Sequence, residues 1–402
     1  MYHNVPLEQG KEFDQRPKRK RMRICSPHCG IDPETTSGGE TYERELLRHL
    51  AARGAVIDIL LARHKRYPEG VPNWVIHRLP IGRGLRWPVA IVLLPPVIRR
   101  LYAENRFDIL RVHSLRYIGP AALIARRRYG LKVPIVAHHH HLESNWLNPL
   151  IEGPVMRGVE RIVVGSEFAR RQASQELGVP PEKFSVVYYG VDQHFCRRPK
   201  PEALIRRYGL EEKVVVLFLG GLKMRKNLFF LLDIWREVAR ERDNARLIVA
   251  GSGPLLSRLQ RYARRLGEEG RVIFAGYVPE KEKVDYYNLA DLLLFPSTME
   301  GFGLTVAEAM SCELPVVVSS RGSLPELVVN GEGGFLCDPS DRESFVRKIL
   351  LLLADPMLRR KFWSANRERV DRLFRWDHCA VATAQVYEEV LQTWQKRQAT
   401  AG

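Results

Sequence analysis

The chain has 402 residues, of which 45% are hydrophobic and 27% charged, and these values exclude a disulfide miniprotein and a disordered polymer. The length predicts two domains, or three small ones. The net charge is +17, and residues 1–200 hold +14 of it, with 33 Lys and Arg against 19 Asp and Glu. Such a positive field favours a polyanion, an anionic membrane surface or an acidic small molecule as partner.

No apolar run reaches the roughly 18 residues that a membrane-spanning helix needs. The most apolar run, Pro88–Ile98, contains Pro95 and Pro96. The first 23 residues are charged and lack the apolar core of a secretory signal. We therefore expect a cytoplasmic protein whose six cysteines are reduced thiols in or near the core.

Residues 1–21 are basic and show no apolar periodicity, which predicts a disordered tail. From residue 22 onward, short apolar runs typical of buried parallel strands alternate with amphipathic helical stretches. A helix is predicted over Glu40–Arg53. The predicted strands are Arg23–Pro27, Val56–Leu61, Ile109–Val112, Pro134–Ala137, Arg161–Val164 and Ser185–Tyr188. This alternation predicts an α/β domain over residues 22–195.

A proline- and arginine-rich passage, residues 196–212, predicts a linker to a second α/β series. The second series has predicted helices over Asn227–Arg240 and Pro254–Leu266. Its predicted strands are Val214–Leu219, Arg246–Ala250, Val272–Phe274, Leu292–Phe295 and Val316–Ser319. The sequence thus predicts two doubly wound, Rossmann-like domains, the second over 213–372, with a ligand between the carboxyl ends of their sheets. A terminal helix, within residues 373–402, is expected to pack back on the first domain.

The segment Gly220–Asn227 follows a predicted strand and opens a helix. Glycines let backbone N–H groups approach an anion, and a helix N-terminus favours negative charge. Arg225 and Lys226 add full positive charges, so the segment predicts a diphosphate site. A tight turn with solvated basic residues is the alternative, since no Walker or dinucleotide glycine pattern is present.

Residues 296–310 are more informative and read Pro-Ser-Thr-Met-Glu-Gly-Phe-Gly-Leu-Thr-Val-Ala-Glu-Ala-Met. Gly301 and Gly303 predict a loop whose amide groups point at phosphate, followed by a helix. Glu308 would lie one turn into that helix, where a carboxylate can accept both hydroxyls of a ribose. Glu300, at the start of the loop, could hold sugar hydroxyls.

This segment resembles the signature of the GT-B glycosyltransferases, in particular the retaining family-four type. Further blocks resemble that family in the same order: Ser37–Glu40, Tyr189–Asp192, Gly251–Pro254, Ser320–Glu326, Asn330–Pro339 and Phe374–Trp376. The resemblance runs from about residue 22 to residue 395. It implies an α/β GT-B fold, with two Rossmann-like domains facing across a cleft, and sugar transfer from a nucleotide-sugar donor.

Carried over residue by residue, the resemblance implies that Glu308 binds the nucleotide ribose and Glu300 the donor sugar. Lys226 would pair with the diphosphate, and His140 would lie near the reacting sugar. The candidate catalytic residues are therefore His140, Glu300 and Lys226. The candidate donor-binding residues are Gly38, Gly39, Arg225, Lys226, Glu300, Gly301, Phe302, Gly303, Leu304, Thr305 and Glu308.

The sequence departs from the family pattern at three positions. Gly221 stands where the family usually has a phosphate-binding arginine, which Arg225 could replace. Tyr189 replaces an asparagine, and Ser320 stands where aspartate is common. No Asp-x-Asp motif is present, so we expect no metal ion and no other cofactor, with lysine and helix dipoles neutralising the leaving diphosphate.

The run His138–His141 has a metal-like composition, but alternation along a strand would divide it between two faces. We expect no metal there; a base or hydrogen-bonding role for His140 and plain packing are the alternatives. Cys25 and Cys29 have a weak metal-like spacing with no second pair, and are interpreted as thiols at a strand end.

Residues 83–100 combine arginines, Trp87 and an apolar run. Such a segment could rest on an anionic bilayer, peripherally at the inner face of the membrane; a core helix with a basic rim is the alternative. The expected partners are a nucleoside-diphosphate sugar, a hydroxyl acceptor and such a membrane surface. No nucleic-acid partner is expected, because the sequence lacks a recognition motif among its charges.

The sequence therefore predicts a retaining hexosyltransferase that uses a UDP- or GDP-sugar and a hydroxyl acceptor. The basic first domain favours a lipid-linked or polysaccharide precursor as that acceptor. A soluble sugar or sugar phosphate is the alternative acceptor. Two other protein classes are alternatives that the sequence favours less: a nucleotide-sugar epimerase and a basic nucleic-acid-binding protein.

Overall fold

The computed structural model describes residues 21–35, 37–82, 89–140 and 148–401. Most of the predicted basic tail, residues 83–88 with Trp87, and His141 lie outside these residues, so the expectations placed on them are not addressed.

The first half of the chain folds around a seven-stranded parallel sheet with the order β3-β2-β1-β4-β5-β6-β7. Its strands are β1 (Arg23–His28), β2 (Val56–Ala62), β3 (Trp74–Leu79), β4 (Ile109–Val112), β5 (Ile135–His139), β6 (Arg161–Val164) and β7 (Phe184–Val186). Its helices are α1 (Gly38–Ala52), α2 (Ala90–Asn105), α3 (Ile118–Tyr129), α4 (Asn148–Gly158) and α5 (Glu167–Leu177).

The second half folds around a six-stranded parallel sheet with the order β10-β9-β8-β11-β12-β13. Its strands are β8 (Val214–Leu219), β9 (Ala245–Ala250), β10 (Val272–Gly276), β11 (Leu292–Phe295), β12 (Val316–Ser319) and β13 (Gly334–Cys337). The remaining helices are α6 (Glu202–Tyr208), α7 (Leu228–Glu241), α8 (Leu256–Arg265), α9 (Lys283–Leu289), α10 (Leu304–Ser311), α11 (Leu324–Leu327), α12 (Arg342–Ala354), α13 (Pro356–Leu373) and α14 (Trp376–Ala401).

Five strands, β4, β6, β8, β11 and β12, have the predicted bounds, because each is a short, mostly apolar run that lies between two other strands of its sheet. Two strands were missed. β3 is the edge strand of the first sheet, partly exposed and containing His77 and Arg78, so it lacks a continuous apolar run. β13 has only four residues and also lies at a sheet edge. The passage predicted as a linker contains the short helix α6.

The segment after residue 88 forms helix α2, which buries Ala90, Leu94 and Ile98 against the first domain. Arg99 and Arg100 are exposed, as is Val92, at 74% of its surface. The described part of the segment is thus a core-facing helix with a basic outer rim. No described helix is both long enough and apolar enough to span a membrane.

The chain crosses between the two sheets at two adjacent places. The Val191 amide donates to the carbonyl of Phe374, at 2.8 Å, and Val191 forms an isolated bridge with Arg375. Helix α14 then returns to the first domain and packs on α1. Gly190 is required at this crossing, because a Cβ atom there would lie 2.4 Å from the backbone N and Cα of Trp376.

Substituting Gly190→Ala should therefore push the two crossing segments apart. We expect a loss of about 1–3 kcal/mol in the free energy of unfolding, the range for overpacked sites, measured by urea denaturation. Gly270→Ala is the matched control, since a Cβ there meets no atom within 4 Å. Equal stability of the two variants would contradict close packing at the crossing.

Candidate active site

The loops that follow strands of both sheets meet in one cleft. Ser166, just after β6, donates a 2.6 Å hydrogen bond to the carbonyl of Gly301, after β11. The ring of Phe302 packs on Tyr189, with centroids 4.9 Å apart. Gly38 also approaches the second domain, since a Cβ there would lie 3.5 Å from Leu304. The carboxyl ends of the two sheets therefore face one cleft, and the sequence places the ligand there as a prediction.

Glu300 is the buried acidic centre of the second domain's side of the cleft, with 6% of its surface exposed. Its Oε1 atom accepts hydrogen bonds from Lys226 Nζ at 2.6 Å, Arg225 Nη1 at 3.0 Å and Ser297 Oγ at 2.6 Å. No described residue donates a hydrogen bond to its other oxygen, Oε2. The predicted residues Arg225, Lys226 and Glu300 are thus brought into direct contact.

The sheet order explains this contact. Arg225 and Lys226 lie in a single 3-10 turn after β8, and β8 is the neighbour of β11. The Thr298 amide donates to the Arg225 carbonyl at 2.8 Å, which ties the two loops together. Asn227 follows in the left-handed conformation, with φ at 55°, and turns the chain into α7.

Burial and charge oppose each other in this group. Burial alone would raise the pKa of Glu300, but the charges of Lys226 and Arg225 bring that pKa below its ordinary value. Burial lowers the pKa of Lys226, against the opposing effect of Glu300. We interpret the group as an ionised carboxylate held by two cations.

Helix α10 begins at Leu304, as predicted. Gly303 precedes it with φ at 96°, and a Cβ at that position would lie 2.9 Å from the Leu324 side chain. Thr305 lies in the first turn, where backbone N–H groups have no partner within the helix. This turn therefore offers N–H groups and the positive end of a helix dipole to the cleft.

Glu308 lies one turn further along α10, with 3% of its surface exposed. It does not contact Glu300. Its Oε2 accepts a 2.6 Å hydrogen bond from the Tyr287 hydroxyl, and Lys283 Nζ lies 3.5 Å from Oε1. Burial raises the pKa of Glu308, against the lowering effect of Lys283.

His140, just after β5, has partners on both ring nitrogens. Nε2 lies 2.6 Å from Glu43 Oε1, and Nδ1 lies 2.5 Å from the Tyr189 hydroxyl. An ionised carboxylate can only accept hydrogen bonds, so Nε2 carries a hydrogen atom and donates a hydrogen bond to Glu43. In this arrangement the ring of His140 is held by the first domain, through Glu43 on α1 and Tyr189.

Glu43 itself forms a buried ion pair with Arg111 on β4, which the sequence reasoning missed. Arg111 is fully buried and also donates to the Tyr387 hydroxyl of α14, at 3.1 Å. Burial would raise the pKa of Glu43, but Arg111, His113 and His140 hold it well below the ordinary range. One sequence signal was available, since a charged residue inside the predicted buried strand Ile109–Val112 requires a partner.

Three more histidines, His28, His113 and His138, lie in the same cluster. His138 is fully buried, with Tyr42 at 3.1 Å from Nδ1 and Tyr387 at 2.8 Å from Nε2. Among the described residues, two groups of three side chains lie close enough to share a cation, and both include Glu43: one with His28 and His113, the other with His138 and His140. Arg111 already neutralises the Glu43 carboxylate in both groups. The absence of a bound metal ion stays a prediction.

The two cysteines near β1 are free thiols. Cys25 is buried in the strand, and burial raises the pKa of Cys29 to about 12. Neither belongs to the groups that could share a cation among the described residues.

Two family models together match most of the chain. Residues 202–369 match the family described as Glycosyl transferases group 1, and residues 36–195 match Glycosyltransferase Family 4. A D-inositol 3-phosphate glycosyltransferase of Streptomyces bingchenggensis (strain BCW-1) is 30% identical, over 98% of this chain and 95% of its own. This chain belongs to the group 1 glycosyltransferases.

Two further proteins are similar to this glycosyltransferase. A GDP-mannose-dependent alpha-(1-6)-phosphatidylinositol monomannoside mannosyltransferase of Mycolicibacterium smegmatis is 29% identical over 68% of this chain and 75% of its own. The crystal structure of Anabaena Alr3699/HepE in complex with UDP and glucose matches with a TM-score of 0.75 and 19% identity, over 92% of this chain and 100% of that one. The predicted GT-B fold is confirmed.

Replacing Glu43 with glutamine should destabilise this glycosyltransferase, because it leaves the Arg111 charge buried without a counter-charge. We expect a loss of about 3–5 kcal/mol at neutral pH, measured by urea denaturation. The pKa of Glu43 is lower in the folded protein than in the unfolded chain, where it is about 4.3. The ionised carboxylate therefore stabilises the fold above that pH, and this stabilisation is lost as the pH falls below it. The difference between wild type and Glu43→Gln should therefore be smaller at about pH 3.5 than at about pH 7.

Glu202→Gln is the matched control, because the Glu202 side chain is 83% exposed and pairs with the exposed Arg206. Its stability should stay within about 0.5 kcal/mol of wild type. A Glu43→Gln variant as stable as this control would show that Arg111 does not depend on Glu43.

Proposed function

We propose that this glycosyltransferase moves a hexose from a UDP- or GDP-sugar to a hydroxyl acceptor with retention of configuration. The observation that carries the proposal is the asymmetry of Glu300. Three donors from Lys226, Arg225 and Ser297 converge on its Oε1, while Oε2 accepts no hydrogen bond from the described residues. A carboxylate oxygen with free lone pairs, on a side chain that is otherwise held in place, is suited to a sugar hydroxyl.

The diphosphate would lie beside these cations. Lys226 and Arg225 supply positive charge, and the first turn of α10, at Leu304 and Thr305, supplies N–H groups. Charge that grows on the departing diphosphate is stabilised by such fixed donors without reorganisation. The proposed site needs no metal ion, because these groups neutralise the negative charge of the diphosphate. Arg225 would then perform the role that Gly221 cannot.

The nucleotide would be held by Glu308, whose buried carboxylate would accept the ribose diol. Two comparisons support the donor class. HepE was crystallised with UDP and glucose, and the Mycolicibacterium relative is named for its dependence on GDP-mannose. The choice between uracil and guanine is left to the experiment below.

Retention is proposed to occur by attack on the same face of the sugar. The bond between the anomeric carbon and the phosphate oxygen breaks as the acceptor oxygen bonds to that carbon, and the departing phosphate oxygen takes the acceptor's proton. We assign Glu300 Oε2 to a sugar hydroxyl and propose no covalent intermediate. Trapping of a glycosyl-enzyme would contradict this step. His140 would position the reacting groups, since both of its ring nitrogens are engaged.

The acceptor is proposed to be lipid-linked, with the exposed Arg99 and Arg100 of α2 near an anionic membrane surface. The Mycolicibacterium relative, named as a phosphatidylinositol monomannoside mannosyltransferase, supports this choice. The Streptomyces relative is named for inositol 3-phosphate and favours the alternative, a soluble sugar phosphate. A basic first domain suits either anionic acceptor.

A thermal-shift panel of UDP, GDP, ADP and their hexose conjugates should identify the donor. At 100 times its dissociation constant, a ligand adds about 2.7 kcal/mol of stability, so one nucleotide should raise the melting temperature of wild type clearly. Glu308→Gln should lose that shift. Glu332→Gln, in an exposed turn, should keep it. A panel in which no nucleotide stabilises wild type would contradict the proposed donor site.

Sedimentation with vesicles tests the membrane surface. Wild type should sediment with vesicles containing anionic phospholipid, and not with purely zwitterionic ones. The double substitution Arg99→Gln/Arg100→Gln should weaken binding about tenfold or more, at about 1 kcal/mol per charge. The control is Arg264→Gln/Arg265→Gln, two exposed arginines at the end of α8 in the second domain. Equal binding by both double variants would contradict a role for α2.

A further inference from the structure

Helix α9 directs two side chains at Glu308. Lys283 is its first residue and Tyr287 lies four positions later, so both are on one face of the helix. The Tyr287 hydroxyl bonds Glu308 Oε2 at 2.6 Å, and Lys283 Nζ lies 3.5 Å from Oε1. One element outside the donor-binding motif thus contacts both oxygens of a buried carboxylate.

Lys283 also connects Glu308 to a second carboxylate. Its Nζ lies 2.8 Å from Glu280 Oε2, and Lys283 is itself buried, with 9% of its surface exposed. The groups that face Glu308 are Lys283, Glu280, Tyr287 and the Cys312 thiol. Burial raises the pKa of both Tyr287 and Cys312, so these two stay neutral. Lys283 is therefore a positive charge that lies between the buried Glu308 carboxylate and the partly buried Glu280 carboxylate.

We propose that Lys283 is a positioning residue for the nucleotide, holding Glu308 ionised and oriented so that its two oxygens accept the ribose diol. The proposal rests on the proposed ribose role of Glu308. An ionised carboxylate accepts two hydrogen bonds at once, whereas a protonated one must use an oxygen as a donor. Each Glu308 oxygen already has one partner on α9 and keeps a lone pair for a hydroxyl.

The consequence concerns pH. Glu308 is buried beside Glu280, and both effects favour its protonated form when Lys283 is absent. Removing the lysine charge should therefore raise the pKa of Glu308 further above its ordinary value. Nucleotide affinity, and the preference for ribose over 2′-deoxyribose, should then depend on pH in a way that wild type does not show.

The test measures dissociation constants by calorimetry for UDP, GDP and their 2′-deoxy counterparts, at about pH 6 and about pH 8. Wild type should bind the ribonucleotide about tenfold more tightly than its 2′-deoxy counterpart at both pH values. This ratio corresponds to one hydrogen bond to a charged group. Between pH 8 and pH 6, the affinity of Lys283→Met for the nucleotide should fall by a factor about tenfold larger than the factor for wild type. The ribose preference of this variant should also be smaller at the lower pH. Lys283→Arg should restore the wild-type profile.

Lys281→Met is the matched control, because Lys281 is exposed two positions away and should change neither ratio. A uniform loss of affinity in Lys283→Met, with an unchanged pH profile and ribose preference, would make Lys283 a merely structural support and overturn the proposal. Wild type that binds none of the four nucleotides would instead overturn the donor site itself.

Discussion

A carboxylate buried away from water must be balanced by a positive charge or by donated hydrogen bonds, and this constraint organises both sides of the cleft. Glu43 is balanced by Arg111, Glu300 by Lys226 and Arg225, and Glu308 by Lys283 and Tyr287. Each of the three carboxylates lies in a loop or helix that follows the carboxyl end of a parallel strand. Burying such groups lowers stability unless geometry is closely fixed, so the sheets act as the rigid frame that makes the site possible.

The partners in each group come from different elements, and the sheet order decides which ones meet. β8 and β11 are neighbours, so the turn after one reaches the loop after the other, and Lys226 pairs with Glu300. In the first domain, Arg111 projects from the central strand β4 to Glu43 on α1, while Tyr387 of α14 bonds the same guanidinium. The returning helix α14 therefore supplies a hydrogen-bond acceptor to the buried Arg111 guanidinium as well as packing on α1.

The sequence alone predicted those features of the fold that depend on residues close together in the chain. Fully buried strands such as Leu292–Phe295, the glycine loop before α10, and the two-domain order all follow from local pattern and resemblance. Pairings across long separations were not predictable. Glu43 and Arg111 are 68 positions apart, and nothing local to either names the other. Lys283 was missed because its pairing with Glu308 depends on how α9 docks beside α10, and edge strand β3 because its exposed face interrupts the apolar run.

Tyr189 shows how a departure from the family pattern can be explained by its surroundings. Its hydroxyl bonds His140 and its ring packs on Phe302, so one side chain joins the buried Glu43 group to the loop that precedes α10. An asparagine is shorter and has no ring to pack on Phe302. Beside this contact, the Glu326 carboxylate accepts from the first two amides of α5, at 2.8 Å each. Hydrogen bonds to a charged group, such as these two, contribute about 1.5–3 kcal/mol each. The two domains are thus joined at the cleft by an aromatic contact and by hydrogen bonds to a carboxylate and a carbonyl group.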